Sequence, residues 1–195
     1  ASDVYKRQSI TCLLFSCNNN QKTMKDTSIN IIPKPTSIEK SNQYFDLNSI
    51  NGINIENNSK HEKYIAGLFK NYLKPLKDLE IEHTINDPKN KINISLNAKH
   101  SLGKEEYKLN ISDLGFITIE ASHEPGLFYG FQSFRQLCDP NLEKGLKPKT
   151  SFITSCEIKD APSFSYRGMH LDVSRHFFDV DFIKTYIDML SLIHI

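Results

Sequence analysis

Hydrophobic and polar positions follow two periods along this chain. A period of two runs through Lys91–Asn97, where Ile92, Ile94 and Leu96 alternate with Asn93, Ser95 and Asn97, and it predicts a half-buried strand. The same period places Tyr107, Leu109 and Ile111 on one face of Tyr107–Ser112, and Ile117 and Ile119 on one face of Phe116–Ala121. Asp113-Leu114-Gly115 between them predicts a hairpin. Shorter extended pieces are expected at Thr36–Glu39, Tyr44–Leu47 and Gly52–Ile55, separated by Asn, Ser and Gly turns, and at Ser151–Ile158. A helical period appears in His61–Leu76, where Tyr64, Ile65, Leu68, Phe69, Tyr72 and Leu73 form a core stripe that Pro75 terminates. It recurs in Ala121–Leu137, with Leu127, Phe131, Phe134 and Cys138 on one face and Ser122 as the expected cap. Gly126 and Gly130, four residues apart, predict close approach of this second helix to the sheet.

After Asp160-Ala-Pro the pattern changes. Pro162 lacks an amide proton and forces its predecessor into extended geometry, so a boundary is expected there. Ser165–Ser174 reads as a buried strand, with Met169, Leu171 and Val173 on one parity and Gly168, His170 and Asp172 on the other. His170 is expected to be a hydrogen-bonded core histidine. Asp179 caps a helix over Asp179–Leu190 whose apolar stripe is Ile183, Tyr186, Ile187 and Leu190. A strand, a short loop and a packing helix with nothing after them read as the opening unit of a larger domain.

Composition narrows the function. The 195 residues are 38% hydrophobic and 24% charged with a net charge of +1, values of a soluble globular chain without the basic excess of a nucleic-acid binder. Cys138 and Cys156 read as two buried free thiols, and no Cys/His spacing suits zinc. At the N-terminus, Lys6 and Arg7 precede the short apolar run Ile10–Phe15, which is too short for a bilayer span of ~20 residues. Leu14-Phe15-Ser16-Cys17 is similar to a bacterial lipobox, in which Cys17 would be lipidated. Residues 1–17 are therefore expected to be a signal or lipoprotein leader remnant, and residues 18–30 a polar tether.

The run D-A-P-x-F-x-Y-R-G-x-x-L-D-V-S-R-H-F-F at Asp160–Phe178 resembles the first barrel strand of family 20 glycoside hydrolases, the β-N-acetylhexosaminidases. E-x-Y-x-L-x-I, I-x-I-x-A and G-L-F-Y-G-x-Q-S-x-R-Q-L, between Glu105 and Leu137, resemble the small domain that precedes that barrel. The resemblance implies an α+β, zincin-like accessory domain over residues 31–158. Residues 159–195 would then be the first strand and helix of a truncated TIM (β/α)8 barrel.

It also implies an exo-β-N-acetylhexosaminidase that removes terminal GlcNAc or GalNAc from glycans by a retaining route, the substrate's own acetamido oxygen acting as nucleophile. No metal or organic cofactor is implied. The family's adjacent Asp and Glu follow a later strand and have no counterpart here; Glu105-Glu106 lies in the other domain, so the fragment is expected to be inactive. Arg167 matches the arginine that grips the hydroxyls of the terminal sugar, while Asp172, Arg175 and His176 are expected either to support the pocket from behind or to form an ion-pair cluster that stabilises the first loop. Early placement and parity argue against Arg167 unless Gly168 breaks the pleat. The expected partners are N-acetylhexosamine-terminated glycans and, through a lipid anchor, the membrane, with no nucleic acid. The expected location is the bacterial cell envelope, periplasmic or lipid-anchored. The rival reading is a non-catalytic surface lipoprotein whose small domain binds glycans or acts as a scaffold.

Overall fold

The computed structural model describes residues 29–83 and 88–195. The leader, the lipobox with Cys17 and nearly all of the tether lie outside the described residues.

Seven strands form one mixed sheet: β1 (Ser37–Asp46), β2 (Gly52–Ile55), β3 (Glu80–Glu82), β4 (Lys91–Leu96), β5 (Tyr107–Ser112), β6 (Phe116–Ala121) and β7 (Phe152–Asp160). Their order is β1-β7-β5-β6-β4-β2-β3. The four strands β6, β4, β2 and β3 run parallel, while β5 pairs antiparallel with both β6 and β7, and β7 with β1. β1 joins two of the expected short pieces, and a register shift between Lys40 and Tyr44 marks the irregularity that separated them in the sequence pattern. The three-residue β3 has too short an alternation to be read from sequence.

Helices α1 (Lys60–Leu73) and α2 (Glu124–Leu137) both pack on one face of the sheet. Ile53, Ile92, Ile94, Tyr107, Leu109, Ile117 and Ile119 are buried, as are Ile65, Phe69, Leu127, Phe131 and Phe134 from the helices. Phe69 is the pivot: its ring lies 4.7 Å from Phe131, edge to face, and 4.9 Å from Phe134. Gly126 and Gly130 bring α2 down onto β5 and β6. A Cβ on Gly126 would stand 2.3 Å from the Glu106 carbonyl oxygen, and one on Gly130 would stand 2.8 Å from Ile119 Cγ2.

Several expectations need correcting. The α1 cap is Ser59, in a reciprocal capping box with Glu62, so the helix starts one residue before the expected span and ends at Leu73, before Pro75. Tyr64 is 59% exposed instead of packed, because the buried face of α1 is carried by Glu62, Ile65, Ala66, Phe69 and Leu73. Ser122 does not cap α2; its hydroxyl accepts from Leu102 N instead, and His123 is the uncapped flanking residue.

The largest correction concerns Ser165–Ser174, which forms no strand. A strand exists only when a neighbour takes its N–H and C=O groups, and none of the described strands lies beside it. His170 is accordingly exposed, as are Met169 and Val173. Helix α3 (Val180–Leu192) does form, with Asp179 accepting from Phe182 N at 2.7 Å, yet it has no fully buried residue. Cys138 and Cys156 are buried free thiols.

Candidate functional site

The chain leaves the sheet at Asp160, which is buried and whose Oδ1 accepts from Thr36 N at 2.9 Å and Thr36 Oγ1 at 3.0 Å. That pair ties the end of β7 to the segment that opens β1. Seven residues later Arg167 turns back against the helix-covered domain.

Arg167 finds Glu105, in the loop before β5, and Tyr129, on α2. Its Nη2 donates to Glu105 Oε1 at 2.7 Å and to Tyr129 Oη at 2.9 Å; Nη1 donates to Glu105 Oε2 at 3.4 Å and to the Phe164 carbonyl. Nε donates to the His194 carbonyl at 2.7 Å. A guanidinium has five N–H donors, and each of them has an acceptor here. Tyr129 Oη in turn donates to Glu105 Oε1 at 3.1 Å, and the guanidinium carbon lies 5.7 Å from the Tyr129 ring centre. The hydrogen bond from Arg167 holds the Glu105 carboxyl below its ordinary range despite partial burial, and the same bond raises Arg167. Burial pushes the Tyr129 hydroxyl upward.

The other expected residues sit further along. Asp172 Oδ1 accepts from Ser174 N at 2.9 Å and Arg175 N at 3.2 Å, closing a turn, and its Oδ2 lies 3.4 Å from Arg175 Nε. The Arg175 side chain is 87% exposed and His176 is exposed, so this turn offers free donors. The structure thus separates the expected cluster: Arg167 joins the small domain, while Asp172, Arg175 and His176 share a turn. Sequence reasoning missed Glu105 and Tyr129 as partners of Arg167. Both stood in the quoted motifs, as the E of E-x-Y-x-L-x-I and the Y of G-L-F-Y-G, outside the apolar alternation that explained their neighbours.

A second polar group lies on the sheet's helix-free side, beside a cavity of about 320 Å³. Ser95 Oγ sits 2.6 Å from His100 Nε2 and also meets Glu56. The serine stands between the histidine and the carboxylate, so Glu56 does not orient His100 as a general base, and the arrangement is not a nucleophilic triad. Among the described residues, no three His, Cys, Asp or Glu side chains converge as metal ligands, and no helix is long and apolar enough to cross a membrane.

Comparison with known proteins adds to this geometry. The family model described as "Glycosyl hydrolase family 20, domain 2" matches residues 28–161, and "Glycosyl hydrolase family 20, catalytic domain" matches residues 164–195. A beta-hexosaminidase of Porphyromonas gingivalis is 34% identical over 197 residues, which cover 95% of this chain and 25% of that protein. The solved structure of a GH20 beta-N-acetylhexosaminidase from Streptomyces coelicolor superposes with a TM-score of 0.73 at 30% identity, over 86% of this chain and 34% of that one. An exo beta-N-acetylglucosaminidase from Vibrio harveyi, solved with N-acetylglucosamine, gives a TM-score of 0.66 at 26% identity, over 87% and 25% of the two chains. The present chain therefore spans a quarter to a third of these relatives.

Proposed function

The chain belongs to glycosyl hydrolase family 20, and from that premise we propose that the whole protein is an exo-β-N-acetylhexosaminidase releasing terminal β-linked GlcNAc or GalNAc from glycans. The relatives' names support this activity. In this reading residues 31–158 are a zincin-like accessory domain, and residues 159–195 open a TIM barrel, with Ser165–Ser174 becoming its first strand only once later barrel strands pair with it and α3 its first helix. The observation that carries it is the bare apolar surface of the closing segment. Phe164 is 74% exposed, Met169 60%, Val173 51% and Ile187 57%, side chains that the opening unit of a barrel would bury against later units.

Chemistry follows from the substrate. A carboxylic acid protonates the leaving glycosidic oxygen while the 2-acetamido oxygen attacks the anomeric carbon; water then opens that intermediate with net retention. The acid and the carboxylate that orients the acetamido group belong to later strands of the barrel, so the present chain alone turns nothing over.

Its contribution is sugar recognition. In this proposal Arg167 hydrogen-bonds hydroxyls of the terminal sugar, while Asp172, Arg175 and His176 support the pocket from behind. A guanidinium fork suits two neighbouring hydroxyls. Asp172 closes the turn that carries Arg175 and His176. For location we propose the bacterial cell envelope, with lipidation at Cys17; the lipobox-like Leu14–Cys17 supports this.

The test is release of the chromophore from an aryl N-acetyl-β-glucosaminide by the full-length protein. Comparable turnover of the plain aryl β-glucoside would refute acetamido participation. No release from either would favour a non-catalytic glycan-binding surface protein.

A further inference from the structure

We infer that the end of the accessory domain where α1 meets the loop before β7 is a docking surface for an anionic lipid bilayer. The part of the argument that concerns Cys17 rests on the envelope location proposed above; the surface itself does not.

Two lysine-bearing stretches converge there. α1 ends at Leu73 and runs on into Lys74-Pro75-Leu76-Lys77. The helical turn Leu142–Lys144 comes against α1: Leu142 is buried, Glu143 pairs with Arg135, and the Arg135 guanidinium carbon lies 5.8 Å from the Tyr72 ring centre. Beyond it Lys147, Pro148 and Lys149 share a cavity of about 280 Å³ with Pro75 and Leu76. Lys74, Lys77, Lys144, Lys147 and Lys149 are exposed, and none has an acidic partner among the described residues. Nearby acids are taken: Asp78 by Lys70 at 3.5 Å, Glu143 by Arg135, and Asp139 by the N–H groups of Asn141, Lys149 and Thr150. Among the lysines stands Leu146, 54% exposed. Cations around a bare leucine suit a lipid interface better than a soluble polyanion. Headgroups attract the lysines, about fivefold in partition for each, and the acyl boundary takes the leucine.

The path of the chain points the same way. Ile29 lies in a cavity with Asp139, Thr150 and Phe152, beside Lys149, and Phe152 is 45% exposed. Ile32 is held to α2 by Gln136, whose Oε1 accepts from Ile32 N at 2.8 Å and whose Nε2 donates to the Ile32 carbonyl at 2.9 Å. The chain before residue 29 therefore joins the domain at its lysine end. Twelve residues separate Cys17 from Ile29, a reach of at most about 40 Å, so a lipid on Cys17 keeps this end within range of the bilayer. The segment that opens the catalytic region packs beside Tyr129, in the first half of α2, and leaves these lysines uncovered.

The experiment is sedimentation with vesicles of equal parts phosphatidylglycerol and phosphatidylcholine, and with phosphatidylcholine alone. It uses the full-length protein carrying Cys17→Ser, so that no acyl chain contributes and the apolar side chains of the closing segment are covered. Binding should require phosphatidylglycerol and should be released in about 1 M salt, where the screening length is about 3 Å. Combined Lys144→Gln, Lys147→Gln and Lys149→Gln should lower the partition about 100-fold. Lys99→Gln, Lys108→Gln and Lys159→Gln, which remove the same charge elsewhere, should leave it within about twofold. Leu146→Ser should lower it about three- to tenfold. Circular dichroism checks that each variant folds, and the salt dependence of the parent needs no variant. No binding to the anionic vesicles, or equal losses in the two lysine sets, would overturn the surface. Lysine-dependent retention on a sulfated polysaccharide without vesicle binding would overturn it in favour of a polyanionic glycan. The mass of the N-terminal peptide from the native host reports Cys17 separately. An unmodified Cys17 with lysine-dependent vesicle binding refutes the anchor and leaves the surface standing; an acylated Cys17 without such binding refutes the surface alone.

Discussion

Glu62 is the side chain whose removal should damage the accessory domain in the most legible way. It is fully buried at the start of α1, and only donors surround it. Its oxygens accept from Ser59 N and Ser59 Oγ at 3.0 Å, from Asn57 N at 3.1 and 3.2 Å, and from Leu96 N at 3.1 Å. One carboxylate thus closes the capping box of α1, holds the loop after β2 and satisfies the end of β4. Burial alone would raise its pKa, but the backbone N–H groups of Ser59, Leu96 and Asn57 outweigh that and hold it below 4.5.

In Glu62→Ala the carboxylate's half of the capping box, its bond from Ser59 N, is lost, worth about 1 kcal/mol, while the Ser59 hydroxyl still accepts from the backbone N–H of residue 62. Water can reach exposed Asn57, but the half-buried Leu96 N–H loses its acceptor at about 1–3 kcal/mol. The expected loss is about 2–4 kcal/mol, and Glu62→Gln should lose about half as much, since it keeps one carbonyl oxygen but turns an NH₂ toward donors. Urea unfolding of the 195-residue chain, followed by far-UV circular dichroism, measures both.

The sign with pH is fixed. A depressed carboxyl contributes stability that is present above its unfolded value near 4.5 and is lost as pH falls through the folded pKa. The gap between wild type and Glu62→Gln should therefore narrow on going from pH 7 to pH 3. An alanine variant within about 0.5 kcal/mol of wild type, the scatter of neutral surface changes, or a gap independent of pH, would refute the reasoning.

Four other outcomes are expected. Gly126→Ala should destabilise the chain by about 2–3 kcal/mol in the same unfolding assay, although alanine favours helix, because its Cβ would collide with the Glu106 carbonyl and lift α2 off the sheet. In a variant with Cys12 and Cys17 replaced by Ser, an aromatic disulfide reagent should find no reactive thiol until urea is added and two thereafter; burial pushes Cys138 up and Cys156 up to about 12. Limited trypsin digestion should cut first after Arg175 or Lys184 and spare residues 29–161, since α3 and the segment before it bury almost no side chain; a first cut within the sheet would contradict this. In the full-length enzyme, Arg167→Gln should lower kcat/KM about 10- to 100-fold, the range of one or two charged hydrogen bonds, and an unchanged value would remove Arg167 from the pocket.

The elements that sequence determined are those whose signal is local. Alternation at Lys91–Asn97 and across the Tyr107–Ala121 hairpin is enforced by a sheet with one buried face, and Gly126 and Gly130 announced the closeness of α2. Asp179 was readable as a cap because its partner, Phe182 N, is three residues away. The motifs around Glu105–Leu137 and Asp160–Phe178 carried the family, because charged and aromatic residues at fixed spacing record more than apolar periodicity does. What tertiary structure alone decided are the interactions between distant residues. Ser165–Ser174 has the alternation of a strand, but alternation supplies no hydrogen-bond partner, so the segment stays irregular. The motif marks Arg167 as a candidate sugar ligand, but nothing in the local sequence says that the fold also brings Glu105 and Tyr129 within hydrogen-bonding distance of it. Periodicity fixes which face of an element is apolar; only the packed chain fixes what that face, and each buried charge, finally meets.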